Sequence, residues 1–119
     1  MLKILSIDDE PMITELIGFQ LEIYGMQVVT ANTGKSGIEL ARSEAPDLVL
    51  LDMMMPDMSG PQVCQQIRSF SSVPVLAFSA LSGAQDIDRA LDAGFSGFVE
   101  KPCSGDHLAG KILEFISAK

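Results

Sequence analysis

Five short apolar runs, separated by stretches patterned for helix, leave this chain few ways to fold. LKILSI (2–7), MQVVTA (26–31), DLVLL (47–51), VPVLAFSA (73–80) and SGFVEK (96–101) have the length and side chains of strands. Pro11 suits the first turn of a helix over 11–24, in which Ile13, Leu16, Ile17 and Ile23 recur near helical spacing. Asp8 or Asp9 is placed to cap it, and Gly25 stands where a left-handed residue ends such a helix. A second helix over 35–45 turns Ile38 and Ala41 inward before Pro46, and a third, started by Pro61, buries Val63, Ile67 and Phe70. A fourth over 84–93 presents Ile87, Ala90 and Leu91 and stops at Gly94; Ser104 caps a fifth carrying Leu108, Ile112, Phe115 and Ile116. Strands that alternate with helices require crossover connections, and hence a parallel sheet covered by helices on both faces. DLVLL, apolar throughout, is expected at its centre. The fold class is α/β, a (βα)5 three-layer sandwich.

The 119 residues and their 47% hydrophobic content suit one compact domain over 1–119. No stretch is long and apolar enough for a membrane span, and MLKILSIDDE lacks the parts of a signal peptide, so a cytoplasmic location is expected. Cys64 and Cys103 lie far apart with no CxxC spacing, which points to reduced apolar packing residues rather than a disulfide or a zinc site. A net charge of −8 opposes direct nucleic-acid binding, because phosphate contacts need lysine and arginine.

Function is carried by the polar residues at the ends of the strands. Asp8 and Asp9 follow the first run, Asp52 the third, while Ser79 and Lys101 close the fourth and fifth. In an open parallel sheet these ends converge at one edge, where ligands bind. Of the two common doubly wound orders, the flavodoxin-like 2-1-3-4-5 sets strands one and three side by side, so that Asp8, Asp9 and Asp52 share a crevice. Crowded carboxylates raise a pKa or recruit a cation, and oxygen donors without cysteine or histidine favour Mg²⁺ or Mn²⁺. A carboxylate can also accept phosphate as an aspartyl-phosphate, with a lysine ammonium and a serine hydroxyl as donors to the phosphoryl oxygens. Lys101 and Ser79 are placed for this.

With Asp8-Asp9, Asp52 followed by Met-Met-Met-Pro-Asp-Met-Ser-Gly, Ser79-Ala80 and Lys101-Pro102, the chain resembles over its whole length the receiver domain of two-component response regulators. The resemblance implies a five-stranded parallel sheet in the order 2-1-3-4-5. It implies Asp52 as phosphoacceptor, Asp9 and Asp52 as direct Mg²⁺ ligands, Asp8 acting through a metal-bound water, and the Met54 backbone carbonyl as a further ligand. It further implies that Lys101 pairs with phosphoryl oxygens, that Ser79 shifts to hydrogen-bond them, that Phe98 is the aromatic switch residue, and that Lys101-Pro102 is a cis peptide. The expected function is that of a single-domain signalling switch rather than a turnover enzyme. A histidine kinase or phosphotransfer protein phosphorylates it, and a downstream protein partner reads helix four, strand five and helix five. Two positions depart from common family choices. Ser79 lacks the β-branch of threonine, and Phe98 lacks a tyrosine hydroxyl, so the ring signals by burial alone. Cys103 stands where many relatives carry a bulkier apolar residue.

Taken singly, these signals have plainer readings. Asp8-Asp9 is what caps a helix, and a lysine ending a strand is commonly a surface charge; only the ensemble is specific. TGKSG (33–37) is similar to a phosphate loop, but Val29 occupies the position of its first glycine, which makes it a turn and a helix start. Met53, Met54 and Met55 read as packing rather than a soft-metal site, and His107 has no ligand partners. Two rivals use the same residues: a Mg²⁺-dependent phosphatase with an aspartyl nucleophile, and a constitutive adaptor whose site is never used.

Overall fold

The computed structural model describes residues 2–79, 84–101 and 104–117. Five strands, β1 (Lys3–Ile7), β2 (Gln27–Ala31), β3 (Leu48–Asp52), β4 (Val75–Ser79) and β5 (Gly97–Glu100), alternate with α1 (Pro11–Glu22), α2 (Gly34–Ser43), α3 (Gly60–Arg68), α4 (Ala84–Asp92) and α5 (Gly105–Ser117). All pairings are parallel, in the order β2-β1-β3-β4-β5. The expected architecture and order are both found, and every residue of the central β3 is buried.

Strand alternation sorts the core into two layers. Leu5, Ile7, Val49, Leu51, Val75 and Ala77 face one side and pack with Val63 and Ile67 of α3, Ala41 of α2 and Ala90 of α4. Ile4, Leu48, Leu50, Leu76, Phe78 and Val99 face the other and meet Ile17 and Leu21 of α1 and Leu108 and Ile112 of α5. Burying each large side chain contributes about 1.5–3 kcal/mol, so the two layers together fix the sheet as a rigid platform.

Helix ends follow local chemistry. After α1, the Gly25 N–H donates to Glu22 O and Met26 N–H to Leu21 O, with Gly25 at φ 77°. Gly94, at φ 99°, ends α4 in the same way. Both are the left-handed closures in which glycine avoids a Cβ clash. Ser59 and Gln62 form a reciprocal capping box at the start of α3, one residue earlier than Pro61 alone suggested. The Ser104 hydroxyl accepts from His107 N–H, as the sequence led us to expect.

Three details of the helix reading are corrected. The residue at the start of α1 is Glu10, with no side-chain cap, because Asp8 is engaged elsewhere. Leu16 and Ile23 are 52% and 82% exposed, while Thr14 and Leu21 take the inward positions. The buried stripe is displaced by about one residue, which rotates the helix by roughly 100°. Met12, Leu16, Phe19 and Ile23 consequently form an outward apolar row. On α4, Leu91 is likewise exposed while Ala90 is buried.

Candidate phosphoacceptor site

The register brings the carboxylates together. Ile7 pairs with Leu51, so Asp8 and Asp52 lie one step further along adjacent strands. Both also follow the alternation of their strands toward the α1/α5 side of the sheet, after Ile4 and Ser6 and after Leu48 and Leu50. Lys101 arrives from β5: its backbone N–H donates to Ser79 O at 2.8 Å, and its Nζ passes 5.2 Å from the Phe78 ring. Nζ then donates to Asp8 Oδ2 at 2.7 Å and stands 3.7 Å from Asp52 Oδ1. One ammonium therefore bridges two buried carboxylates, with Asp8 1% and Asp52 9% exposed.

The remaining polar contacts fix the carboxylates. Asp8 Oδ1 accepts from Glu10 N–H at 3.0 Å, and the Asp8 carbonyl accepts from Asn32 Nδ2 at 2.8 Å. Asn32 also donates to Thr14 Oγ1, tying the β1–α1 turn to the end of β2. Asp52 Oδ1 accepts a longer bond, 3.3 Å, from Met54 N–H. Burial, followed by the negative charge of Asp8, pushes the Asp52 carboxyl from its ordinary 3.8 up to about 6, against the pull of Lys101 and the Met54 N–H; Asp9 adds to the rise. A single lysine does not balance this acidic pocket.

Asp8, Asp9, Asp52, Met54, Ser79 and Lys101 lie at this edge of the sheet, and Phe98 lies within β5. Ser79 is buried at the end of β4 beside Lys101. Asp9 is half-buried and, with Met53, Met54, Met55, Pro56 and Ser59, lines a cleft of about 400 Å³. The Met54 side chain is exposed, so the methionine run forms the wall of this cleft and only Met55 is buried. Phe98 is half-buried on β5, paired with Ala77 and packed against the α2/α3/α4 layer, one strand over from Ser79 and two from Asp52. The expectations of a cis peptide at Lys101-Pro102 and of packing by Cys103 fall outside the described residues.

The donor set suits a hard divalent cation. Oxygen atoms of Asp8, Asp9 and Glu10 come within 4.8 Å of one another, with no nitrogen or sulfur ligand in the group. Among the described residues it is Glu10, not Asp52, that completes this trio. Sequence reasoning missed Glu10, Asn32 and Thr14: each sits in a turn or the first turn of a helix, where polar residues are ordinary.

The family model described as the response regulator receiver domain matches residues 4–113. The chain belongs to that family. Among its relatives, the transcriptional regulatory protein KdpE of Mycobacterium tuberculosis is 38% identical over 112 residues, covering 94% of this chain and 50% of that protein. A probable transcriptional regulator, ycf27, of Galdieria sulphuraria is 40% identical over 110 residues, 92% of this chain and 43% of that one. This receiver thus spans about half the length of these relatives. Among solved structures, a two-component response regulator from Clostridium difficile superposes with a TM-score of 0.93 at 25% identity, covering 100% of this chain and 98% of that chain. The BeF3-activated N-terminal receiver domain of Klebsiella pneumoniae RstA gives 0.90 at 28% identity, with coverage of 96% and 97%. The receiver is thus a signalling module of two-component systems, and among its described residues no helix is long and apolar enough to cross a membrane.

Proposed function

We propose that this receiver is a phosphorylation switch in which Asp52 accepts a phosphoryl group from a phosphohistidine of a sensor kinase or phosphotransfer protein. A carboxylate oxygen of Asp52 attacks phosphorus, the donor's P–N bond breaks, and the imidazole leaves with the bonding pair. Asp9, Asp52 and the Met54 carbonyl would hold Mg²⁺, or Mn²⁺ in its place, with Asp8 acting through a water. When bound, the cation neutralises charge on the phosphoryl oxygens and lets the acidic pocket receive an anion.

The chain's own residues do the rest. Lys101 is already poised between Asp8 and Asp52, so its ammonium needs little movement to meet a phosphoryl oxygen. Ser79 donates its hydroxyl to another. The Phe98 ring follows by packing inward, and a protein partner reads the changed face of α4, β5 and α5. The donor protein seats over the outward row of Met12, Leu16, Phe19 and Ile23, which begins three residues after Asp9; exposed apolar rows of this kind mark protein contacts. The net charge of −8 favours a protein partner over direct contact with nucleic acid.

The observation that carries the reading is the buried Asp8–Lys101–Asp52 bridge with the Asp52 carboxyl raised to about 6: a strained anionic pocket that a cation and a phosphoryl group together relieve. Intact mass after incubation with acetyl phosphate and Mg²⁺ tests it. Wild type gains one phosphoryl group and Asp52→Asn gains none; continuous turnover of p-nitrophenyl phosphate would instead favour the phosphatase. Equal affinity for a partner with and without beryllofluoride would favour the constitutive adaptor.

A further inference from the structure

The loop from Met53 to Ser59 carries the Met54 carbonyl, and it is clamped at both ends. At its far end the Asp57 carboxylate accepts from Gly34 N–H at 3.1 and 3.0 Å through its two oxygens, and from Lys35 N–H at 3.3 Å. These are the first two amides of α2; the third turn position, Ser36 N–H, donates to Thr33 Oγ1. Asp57 is therefore a capping residue supplied from 23 residues away. Those amides hold its carboxyl below the usual carboxylate range, and the positive end of α2 favours its charge.

The contact is close as well as polar. A Cβ built on Gly34 would stand 2.9 Å from both Met58 Cβ and Val63 Cγ2, so the loop is pressed onto the helix end. At the near end the Gly60 N–H donates to Met53 O at 2.8 Å. A Cβ on Gly60 would fall 2.6 Å from Asp52 O and 2.7 Å from Met53 Cα. Met54 thus lies between two anchored points, with its N–H on Asp52 Oδ1 at 3.3 Å.

We infer that Asp57 is a positioning residue for the phosphoacceptor site: by fastening the loop to the start of α2, it sets the Met54 carbonyl where the cation binds. The inference rests on the phosphoacceptor reading above. It differs from a plain helix cap in what it controls, since a cap would add to stability without changing the affinity of a site several residues away.

The test uses Mn²⁺ as probe, with free Mn²⁺ followed by electron paramagnetic resonance in wild type, Asp57→Ala, Asp57→Asn and Asp52→Asn. Urea midpoints are measured alongside. Asp57→Ala is expected to bind Mn²⁺ about ten-fold more weakly, the usual effect of losing a group that orients a metal ligand. Asp57→Asn, whose amide oxygen can still accept from Gly34, is expected to recover most of that affinity. A lowered urea midpoint in Asp57→Ala with Mn²⁺ affinity unchanged would overturn the inference and leave Asp57 a cap. So would equal weakening in Asp57→Ala and Asp57→Asn. Wild-type protein that neither binds Mn²⁺ nor gains a phosphoryl group would instead overturn the phosphoacceptor reading itself, and the inference with it.

Discussion

Replacing Asp52 with asparagine is expected to make the unphosphorylated receiver more stable at neutral pH. The carboxylate is buried, faces Asp8 and Asp9, and shares one lysine with Asp8. Its ionisation is moved from 3.8 to about 6, and at 1.36 kcal/mol per pH unit that interval caps the effect at about 3 kcal/mol. Residual solvent contact screens part of it, which leaves roughly 1–2 kcal/mol. The sign follows from linkage: the folded state holds this proton more tightly than the unfolded chain does, so stability falls as pH rises from about 4 through 6 and stays low above. Asparagine carries no charge at any of these pH values and keeps an oxygen for Met54 N–H. In metal-free buffer, urea unfolding at pH 4, 5, 6 and 7 should show the two proteins nearly equal at pH 4 and the variant ahead by roughly 1–2 kcal/mol at pH 7. Mg²⁺ should narrow the gap by stabilising only the wild type. A variant no more stable than wild type at pH 7, or a gap that does not change with pH, would refute the electrostatic account of the pocket.

Other perturbations separate the parts of the structure. Lys101→Met removes the partner of buried Asp8 and the cation beside Asp52, so urea unfolding at pH 7 should show a loss of about 2–4 kcal/mol, and carbonyl NMR should place the Asp52 titration above 6. Gly60→Ala drives a methyl into the backbone of Asp52 and Met53 and should cost about 1–3 kcal/mol while slowing phosphorylation by acetyl phosphate. Gly110→Ala, in α5 with nothing within 4 Å of the new methyl, should raise the free energy of urea unfolding by about 0.5–1 kcal/mol and leave phosphorylation unchanged. Arg68 donates from Nε to Gly94 O and from Nη1 to Val73 O; Arg68→Ala should cost about 1.5–3 kcal/mol and speed amide exchange at Phe95 and Ser96.

The edge of the sheet was legible because apolar runs stop abruptly at Asp8, Asp52, Ser79 and Lys101, and parallel topology sends all such ends the same way. The order of the strands also followed once the motifs were read together. The rotation of α1 did not, since its apolar residues are too numerous to choose between stripes: Ile13, Leu16, Ile17, Phe19, Leu21 and Ile23 support more than one face. Packing against α5 and β2 selects the stripe through Thr14, Ile17 and Leu21, and leaves Leu16 and Ile23 outside. The supports of the site were also hidden. Asn32 and Asp57 look like turn residues, and nothing local shows that one holds the Asp8 carbonyl while the other caps a helix that begins 23 positions earlier. Such contacts are set by chain folding, not by sequence period. The capping aspartate expected for α1 failed for a related reason, because Lys101, from the far end of the chain, holds Asp8 in the pocket.

The most direct test of the switch is to trap the phosphorylated residue. After treatment with acetyl phosphate and Mg²⁺, borohydride reduces an aspartyl phosphate to homoserine, and peptide mass mapping locates it. The reduced residue should be found at position 52 alone. Reduction at Asp8 or Asp9, or a phosphoryl group that resists borohydride and maps to His107, would contradict the assignment.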